Sequence, residues 1–533
     1  MENLQALLPV LILLSSFVTG IVIFGLAESQ QRLRSVLNLT GAVVKLLLVL
    51  VVAWAVGEGI EFETRLAFLP GFDLLLRVDR IALLFLLLSA VLWFLTTLYA
   101  IGYLEGSPNR SRFFGFFSLC VTATMGIALA GNLITFFIFY ELLTVATYPL
   151  VVHRGTAVAI AAGKTYLLYT LTGGVLLLLG IVWLQLIAGS VEFTPGGTLA
   201  AAADTHPREL AVIFVLLMAG LGVKAALVPL HGWLPEAMVA PAPVSALLHA
   251  VAVVKAGAYG IVRVVHDLYG VDVASELGVL LPLAILASVT IVYGSIRALA
   301  QEDLKRRLAY STVSQVSYIT LGAALVGPLA TTAALVHLMH QGLMKVTLFF
   351  CAGNVAETLG IHKVREMDGV ARRMPFTMAA FTLAAFGMMG VPPMAGFVSK
   401  WYLGLGGLES GQDWVILVLA VSSLLNAAYF LPVIATAWLR PYKGPSVEGH
   451  ADEAHGGGNK VHGRNEVHGA TAALAQGGTP DQRGPGRREA PWLLLVPALA
   501  TAALALAAGL LAGMPFSPLE LAAAAVREIY GTR

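Results

Sequence analysis

Cysteine is almost missing from this chain. Cys120 and Cys351 stand far apart, each inside an apolar run. Two isolated thiols cannot hold an iron–sulfur cluster or a structural zinc ion, so they read as buried free thiols. No glycine-rich dinucleotide fingerprint or phosphate-binding loop stands in a strand-to-helix context. No metal and no cofactor is therefore expected, and any redox centre would belong to a partner. Charge is scarce too. Asp, Glu, Lys and Arg make up 12% of the 533 residues, about half of the roughly 25% in soluble domains. The formal net charge of +2 says little about partners, and none of them is expected to be a nucleic acid. The opening MENLQALLPVLILLSSFVTG lacks a basic n-region and a small-residue cleavage site. It reads as a retained first span and not as a removable signal peptide.

What the chain has instead is apolar length. Hydrophobic residues make up 58% of it, and runs of about 20 residues, enough to cross roughly 30 Å of hydrocarbon, recur from end to end. The pattern predicts an all-α polytopic membrane protein in the lipid bilayer. Fourteen spans are expected, near 4–26, 36–57, 79–102, 111–130, 132–151, 160–188, 208–228, 243–266, 276–299, 309–328, 331–354, 374–400, 413–439 and 491–514. The tail, 515–533, is expected to lie along the membrane surface.

The distribution of positive charge supports this count. Arg32 and Arg34, Arg110 and Arg112, Arg154, Lys305 to Arg307, and Lys363, Arg365, Arg372 and Arg373 all fall in loops after odd-numbered spans. The intervening loops are acidic or mixed, as in EGIEFETRLAFLPGFD. Cytoplasmic loops carry the excess of Lys and Arg, so both termini are expected on the outer side of a bacterial or archaeal cell membrane.

The one long polar insertion, 441–490, contains His450, His455, His462 and His468 among many glycines. Irregular spacing and glycine content favour a flexible cytoplasmic linker over a metal site. Two spans are interrupted by proline, in GVKAALVPLHGWLPEAMVAPAP and in FGMMGVPPMAGFVSKWYL. Proline removes an amide donor and clashes with the preceding turn. Inside a membrane the freed carbonyls need protein or water partners. Broken helices at corresponding places in two halves point to repeats with ion chemistry at the breaks. The breaks fall in spans seven and twelve. They divide the chain into an N-terminal three-helix segment (1–103), repeats over 104–266 and 276–440, the linker (441–490), and a last helix with its tail (491–533).

Several ionisable residues sit deep in the apolar runs: Glu141, Lys224, His249, Lys255, His337, His340, Lys345 and Lys400. Such residues almost always face a bundle interior or a wet cavity, pair with each other, or relay ions. His337 and His340 also admit a reading as hydrogen-bonded core histidines, and His231 as a partner for freed carbonyls. Lys164 and Arg154 read as interfacial anchors. Glu141, Lys224 and Lys400 are too deep to snorkel. Desolvation weakens a lysine's hold on its proton and a nearby carboxylate restores it, so a glutamate–lysine pair can act as a proton switch. Histidine suits the relay positions between lysines. Basic relay groups spread over several helices suit a small cation, above all H⁺.

Four stretches then give a resemblance: FFIFYELLTVATYPLV; GVKAALVPLHGWLPEAMVAPAPVSALLHAVAVVKAGAYG; QEDLKRRLAYSTVSQVSYI; and LVHLMHQGLMKVTLFFCAGN with GVPPMAGFVSKWYL. The chain resembles the antiporter-like membrane subunits of respiratory complex I, Mrp-type Na⁺/H⁺ antiporters and membrane-bound hydrogenases, with the D-type Mrp subunit nearest in character. The resemblance implies two inverted five-helix repeats. It also implies a Glu141–Lys224 gating pair, transfer through Lys255, and Lys400 as the terminal group toward the outer side, with other membrane subunits as partners. Lysine at position 400, where some complex I relatives have glutamate, does not decide the complex. No long lateral C-terminal helix with extra spans is expected after the fourteenth, which argues against the distal complex I type and the large A-type Mrp subunit. The leading expectation is a proton-translocating subunit of a Na⁺/H⁺ antiporter complex. The alternatives are a proton-pumping subunit of an NADH:quinone oxidoreductase or hydrogenase complex, and a scaffold subunit without a proton path.

Overall fold

The computed structural model describes residues 2–69, 72–189, 191–443 and 488–531. The His-rich stretch read as a linker lies outside the described residues over 444–487. The chain is a multi-pass membrane protein. Among the described residues, eleven helical segments are long and apolar enough to cross a membrane. In chain order the first elements are α1 (Glu2–Phe24), α2 (Gln31–Gly57), β1 (Phe62–Leu69), β2 (Phe72–Val78), α3 (Arg80–Tyr103), α4 (Arg110–Leu129), α5 (Leu133–Val151) and α6 (Ala157–Ala188). Then come α7 (Ala200–Thr205), α8 (Pro207–Lys224), α9 (Trp233–Glu236), α10 (Ala242–Ala250), α11 (Val253–Arg263) and α12 (Val271–Glu276). Next are α13 (Leu280–Leu299), α14 (Leu304–Ala324), α15 (Pro328–Leu359), α16 (Val370–Arg373), α17 (Pro375–Met389) and α18 (Ala395–Glu409). The series ends with α19 (Trp414–Leu439), α20 (Trp492–Leu510) and α21 (Pro518–Tyr530).

Polar caps set where several helices begin. Asp79 accepts from the Ala82 amide at 2.7 Å at the start of α3. Asn132 does the same for Thr135 at 2.7 Å in α5, and Asp303 for Arg306 at 2.8 Å in α14. Each satisfies an amide that the helix cannot.

Two of the expected elements differ. The acidic loop before α3 is an antiparallel hairpin of β1 and β2, with Phe62 opposite Val78 and a bulge between Ala67 and Leu69. Among the described residues the regular structure is thus helical apart from this hairpin. The stretch expected as one span over 243–266 is two helices, α10 and α11, parted at Val251–Ala252, and it ends in a π-helical turn over Val264–Tyr269. The proline breaks stand where expected. One separates α8 from α9 and the other separates α17 from α18, each with a cis peptide bond, Val228–Pro229 and Pro392–Pro393.

The centre of the bundle is the α10–α11 segment and α15, both enclosed along their whole apolar windows. By contrast α6 and α19 leave most of their length facing outward. α14 packs between α13 and α15. It buries a polar row of Ser311, Thr312, Ser314, Gln315, Ser317 and Thr320. The tail helix α21 packs through Leu519, Ala522, Ala525 and Val526 onto the bundle against α3 and α15. Tyr530 reaches Thr331 of α15 at 3.0 Å.

Candidate functional site

All eight ionisable residues singled out in the sequence face the interior. Six of them, Lys224, His249, Lys255, His340, Lys345 and His337, are 2% exposed or less. They fall into two groups.

The first group is Glu141 and Lys224. Glu141 stands mid-way along α5, half-buried, with Oε1 lacking a hydrogen-bond partner. Its carboxylate fits against α6 only because position 174 is glycine: a Cβ there would lie 2.6 Å from Oε1. Lys224 is the last residue of α8, at the lip of the break. The two side chains lie within electrostatic reach but do not form a direct ion pair at 4.0 Å or less. Lys224 Nζ instead donates to the carbonyl of Tyr140 and sits 3.4 Å from the centre of the Tyr140 ring. The Tyr140 hydroxyl donates to the Gly220 carbonyl at 3.0 Å, one turn before Lys224. One residue of α5 thus supplies the ammonium with both a carbonyl dipole and an aromatic face.

The second group spans α10, α11, α14, α15 and α18. Lys255 Nζ donates to the Leu338 carbonyl at 2.7 Å, between the two histidines of α15. Lys345 donates to the Leu308 carbonyl at 3.1 Å and to the Ser311 hydroxyl. Lys400 donates to the carbonyls of Met388 at 3.1 Å and Met389 at 3.0 Å and to Ser423 Oγ at 3.1 Å. It therefore serves the open end of α17, where the helix dipole is negative and carbonyls have no amide partner. The sequence expectation ended this span at residue 400. The helix runs on to Glu409, so Lys400 lies inside α18.

Of the three histidines in this group, His337 has the best-defined contacts. Nε2 lies 3.1 Å from the Gln315 carbonyl and Nδ1 lies 2.8 Å from Ser399 Oγ. A carbonyl only accepts, so the neutral ring carries its proton on Nε2 and Nδ1 accepts from the serine. His340 and His249 are different. Neither nitrogen of either ring has a hydrogen-bond partner among the described residues, and His249 lies against the Phe349 ring at 4.6 Å. The ring of His340 faces the backbone of Ala395 without well-formed hydrogen-bond geometry. Unpaired buried imidazoles are costly unless water completes them. Within this group His337 lies in electrostatic reach of Lys255 and Lys400, Lys345 of Lys255, and His249 of Lys345.

The two groups meet at backbone level. Gly257 of α11 rests on the end of α8, where a Cβ would lie 2.3 Å from the Ala225 amide and 2.8 Å from the Lys224 carbonyl carbon. No hydrogen bond links the groups among the described residues. Lys164 and Arg154 are exposed. His231 is half-buried beside the Tyr293 ring at 5.1 Å. Sequence reasoning passed over Tyr140, Gly174, Gln315 and Ser399. The polar row in STVSQVSYIT was a usable signal for Gln315. The other three became visible only through contacts between distant segments.

Residues 130–426 match the model of the family described as "NADH:quinone oxidoreductase/Mrp antiporter, TM". Residues 71–114 match "NADH-Ubiquinone oxidoreductase (complex I), chain 5 N-terminus". The chain is 38% identical over 375 residues to NADH-quinone oxidoreductase subunit N of Desulforudis audaxviator, covering 70% of this chain and 74% of the relative. It is 27% identical over 424 residues to the D-type subunit of the Na(+)/H(+) antiporter of Bacillus subtilis, covering 79% and 84%. Its fold is similar to a chain of the Mrp complex from Dietzia sp., with TM-score 0.82 and 25% identity over 99% of this chain and 98% of that one.

Proposed function

On the premise that this chain belongs to the family of NADH:quinone oxidoreductase and Mrp antiporter membrane subunits, we propose that it moves H⁺ for Na⁺/H⁺ exchange in a multi-subunit antiporter. It is a proton-translocating subunit of that kind, embedded in the bilayer with other membrane subunits. The observation that carries the reading is the enclosure of Lys224, Lys255, Lys345 and Lys400 in one apolar interior, with no carboxylate bonded to any of them among the described residues. A resting ammonium there costs several kcal/mol, which a purely structural role leaves unexplained.

In this reading α8, α14 and the α17–α18 pair cross the membrane along with the eleven apolar segments, which gives fourteen spans. Two inverted repeats, 104–266 and 276–440, place one proline break each. They follow the three-helix segment 1–103 and precede the linker 441–490 and the closing segment 491–533. Both termini face outward. Glu141 sets the proton affinity of Lys224. Lys255 receives from Lys224 past Gly257. His249, His337, His340 and Lys345 relay, and Lys400 releases toward the outer side.

Replacing Glu141 by Gln tests the mechanism. Proton flux in proteoliposomes carrying the assembled complex should collapse while the subunit still copurifies with its partners. Wild-type flux in that variant removes the switch. If Lys224→Ala transports normally in an assembled complex, the chain is a scaffold.

The 38% identity to an NADH-quinone oxidoreductase subunit favours a second reading, a proton-pumping subunit of a redox complex. Copurification separates the two. Soluble iron–sulfur, flavin or nickel subunits would establish the second reading, and small hydrophobic membrane subunits alone would establish the first.

A further inference from the structure

Lys45 lies outside both family-matched regions and outside the two groups described above. It stands 14 residues into α2, which begins at Gln31, or about 21 Å along the helix axis. It is fully buried, and no carboxylate pairs with it among the described residues. Its contacts are neutral: Nζ donates to Ser16 Oγ of α1 and lies 4.7 Å from the Trp93 ring of α3. Among the described residues, no charged or titratable group on α1, α3 or α4 is near enough to act on it.

A polar seam runs from this ammonium to one surface. Ser16 Oγ meets Thr122 Oγ1 of α4 at 2.8 Å, and Thr122 donates to the Ser118 carbonyl at 3.0 Å. Ser118 Oγ lies 3.5 Å from Asn38 Oδ1, and Asn38 donates to the Arg34 carbonyl at 3.0 Å. Arg34 donates to Ser111 Oγ at 2.6 Å and lies 3.9 Å from the Glu28 carboxylate, which is 47% exposed. Arg34, Asn38, Gly41 and Lys45 fall at helical spacing on one buried face of α2. That face would otherwise be apolar.

On the far side of Lys45, α3 presents Ser89 Oγ, Trp93 Nε1, Thr96 Oγ1 and Thr97 Oγ1, all buried and all without a hydrogen-bond partner. Ser89, Trp93 and Thr96 share one face at helical spacing, and Trp93 is the residue that Lys45 touches. Four unpaired buried polar atoms on one helix are the signature of sites that water completes.

We propose that Lys45 is a second proton-binding site, loaded through a hydrated seam between α1, α2 and α4 that opens at Glu28. The step is a simple exchange: a seam water gives its proton to the Lys45 amine and is restored by the solvent at the mouth. The proposal rests on the family reading only in that the ligand is H⁺. In the topology proposed above the mouth faces the cytoplasm.

The test uses the assembled complex in oriented vesicles, with Cys120→Ser and Cys351→Ser as background. Hydrated Ag⁺ is the probe, because it reacts with thiols and does not cross lipid. Lys45→Cys should lose its thiol to Ag⁺ added on the Glu28 side more than about tenfold faster than Val44→Cys, whose position faces outward, since a dry path would impose a desolvation cost on the ion. Ser16→Cys gives the same reading if Lys45→Cys does not assemble. Equal rates, or reaction from the opposite side only, overturn the seam. Proton uptake after a pH step should fall by one proton per complex in Lys45→Met and equally in Lys45→Arg, which keeps a positive charge but does not titrate. Unchanged uptake in Lys45→Met overturns the site. Neither readout needs transport, so loss of flux in Glu141→Gln, or its retention, leaves both standing.

Discussion

Lys224 rests on Tyr140: its ammonium donates to the Tyr140 carbonyl and stands 3.4 Å from the Tyr140 ring centre. The ring contact is worth about 0.5–2 kcal/mol to a desolvated cation. Tyr140→Leu should therefore loosen Lys224 and slow proton flux, while Tyr140→Phe keeps the ring and loses only the hydroxyl bond to Gly220, about 1 kcal/mol. Flux in proteoliposomes compared across the pair checks this. Equal loss in both variants would shift the role from the ring to the hydroxyl.

Gly174 makes the room for the Glu141 carboxylate. Alanine there would bring a methyl to 2.6 Å from Oε1. The glutamate tip is the flexible partner, so α6 should hold its place and the carboxylate should move. Gly174→Ala is expected to assemble normally and to lose flux by about ten- to a hundredfold, the scale of an ångström-sized misplacement. Assembly is read by copurification.

Lys400 satisfies two carbonyls at the broken end of α17. Met388 keeps two further donors, Asn426 at 3.1 Å and Gln315 at 3.4 Å, whereas Met389 has none besides Lys400 among the described residues. Lys400→Met should orphan that carbonyl, a penalty of about 1–3 kcal/mol, and at the same time remove the buried ammonium, which costs several kcal/mol, so the complex should melt no lower than the wild type. A thermal melt of the purified complex checks this.

Outside the membrane, Glu192 ties the hairpin to the chain after α6. Burial works to raise its carboxyl, but the hydrogen bonds and charges of Arg65 and Arg77 prevail and hold it below the usual carboxylate value. A depressed folded value means that the stabilisation is complete above the unfolded value of about 4.3 and is lost as pH falls below it. The protection of β1 and β2 amides against hydrogen exchange, taken relative to the intrinsic rate at each pH, should therefore fall below about pH 4, and Glu192→Gln should show the lowered protection already at pH 7.

Much of the site was legible in the sequence because a charge in an apolar run is conspicuous. Glu141, Lys224, His249, Lys255, His337, His340, Lys345 and Lys400 all face the interior. The proline breaks announced themselves through composition. The break at Val251–Ala252 did not, because HAVAVVK contains no proline or glycine. It is marked only by valines, which are weak helix formers, and by an irregular backbone at Ala252. The hairpin was hidden because its strands are rich in leucine and poor in the β-branched residues that signal strands. Lys45 escaped notice although it is as buried as the others. It is the lone ionisable residue in the middle of its span, with no proline beside it and no second charge to draw attention. Whether Glu141 and Lys224 touch could not be judged from sequence at all, since it depends on how α5 and α8 are rotated.

Lys224, Lys255, Lys345 and Lys400 all rest on backbone carbonyl oxygens. A carbonyl can hold an ammonium, but it is far too weak a base to receive its proton. Each lysine is therefore parked beside an acceptor that cannot discharge it. In the proposed relay, every hop requires either a turn of the side chain away from its carbonyl or the arrival of a water. On that reading the bundle at rest is an insulator, and conduction begins only when a side chain leaves its parking place or a water reaches it.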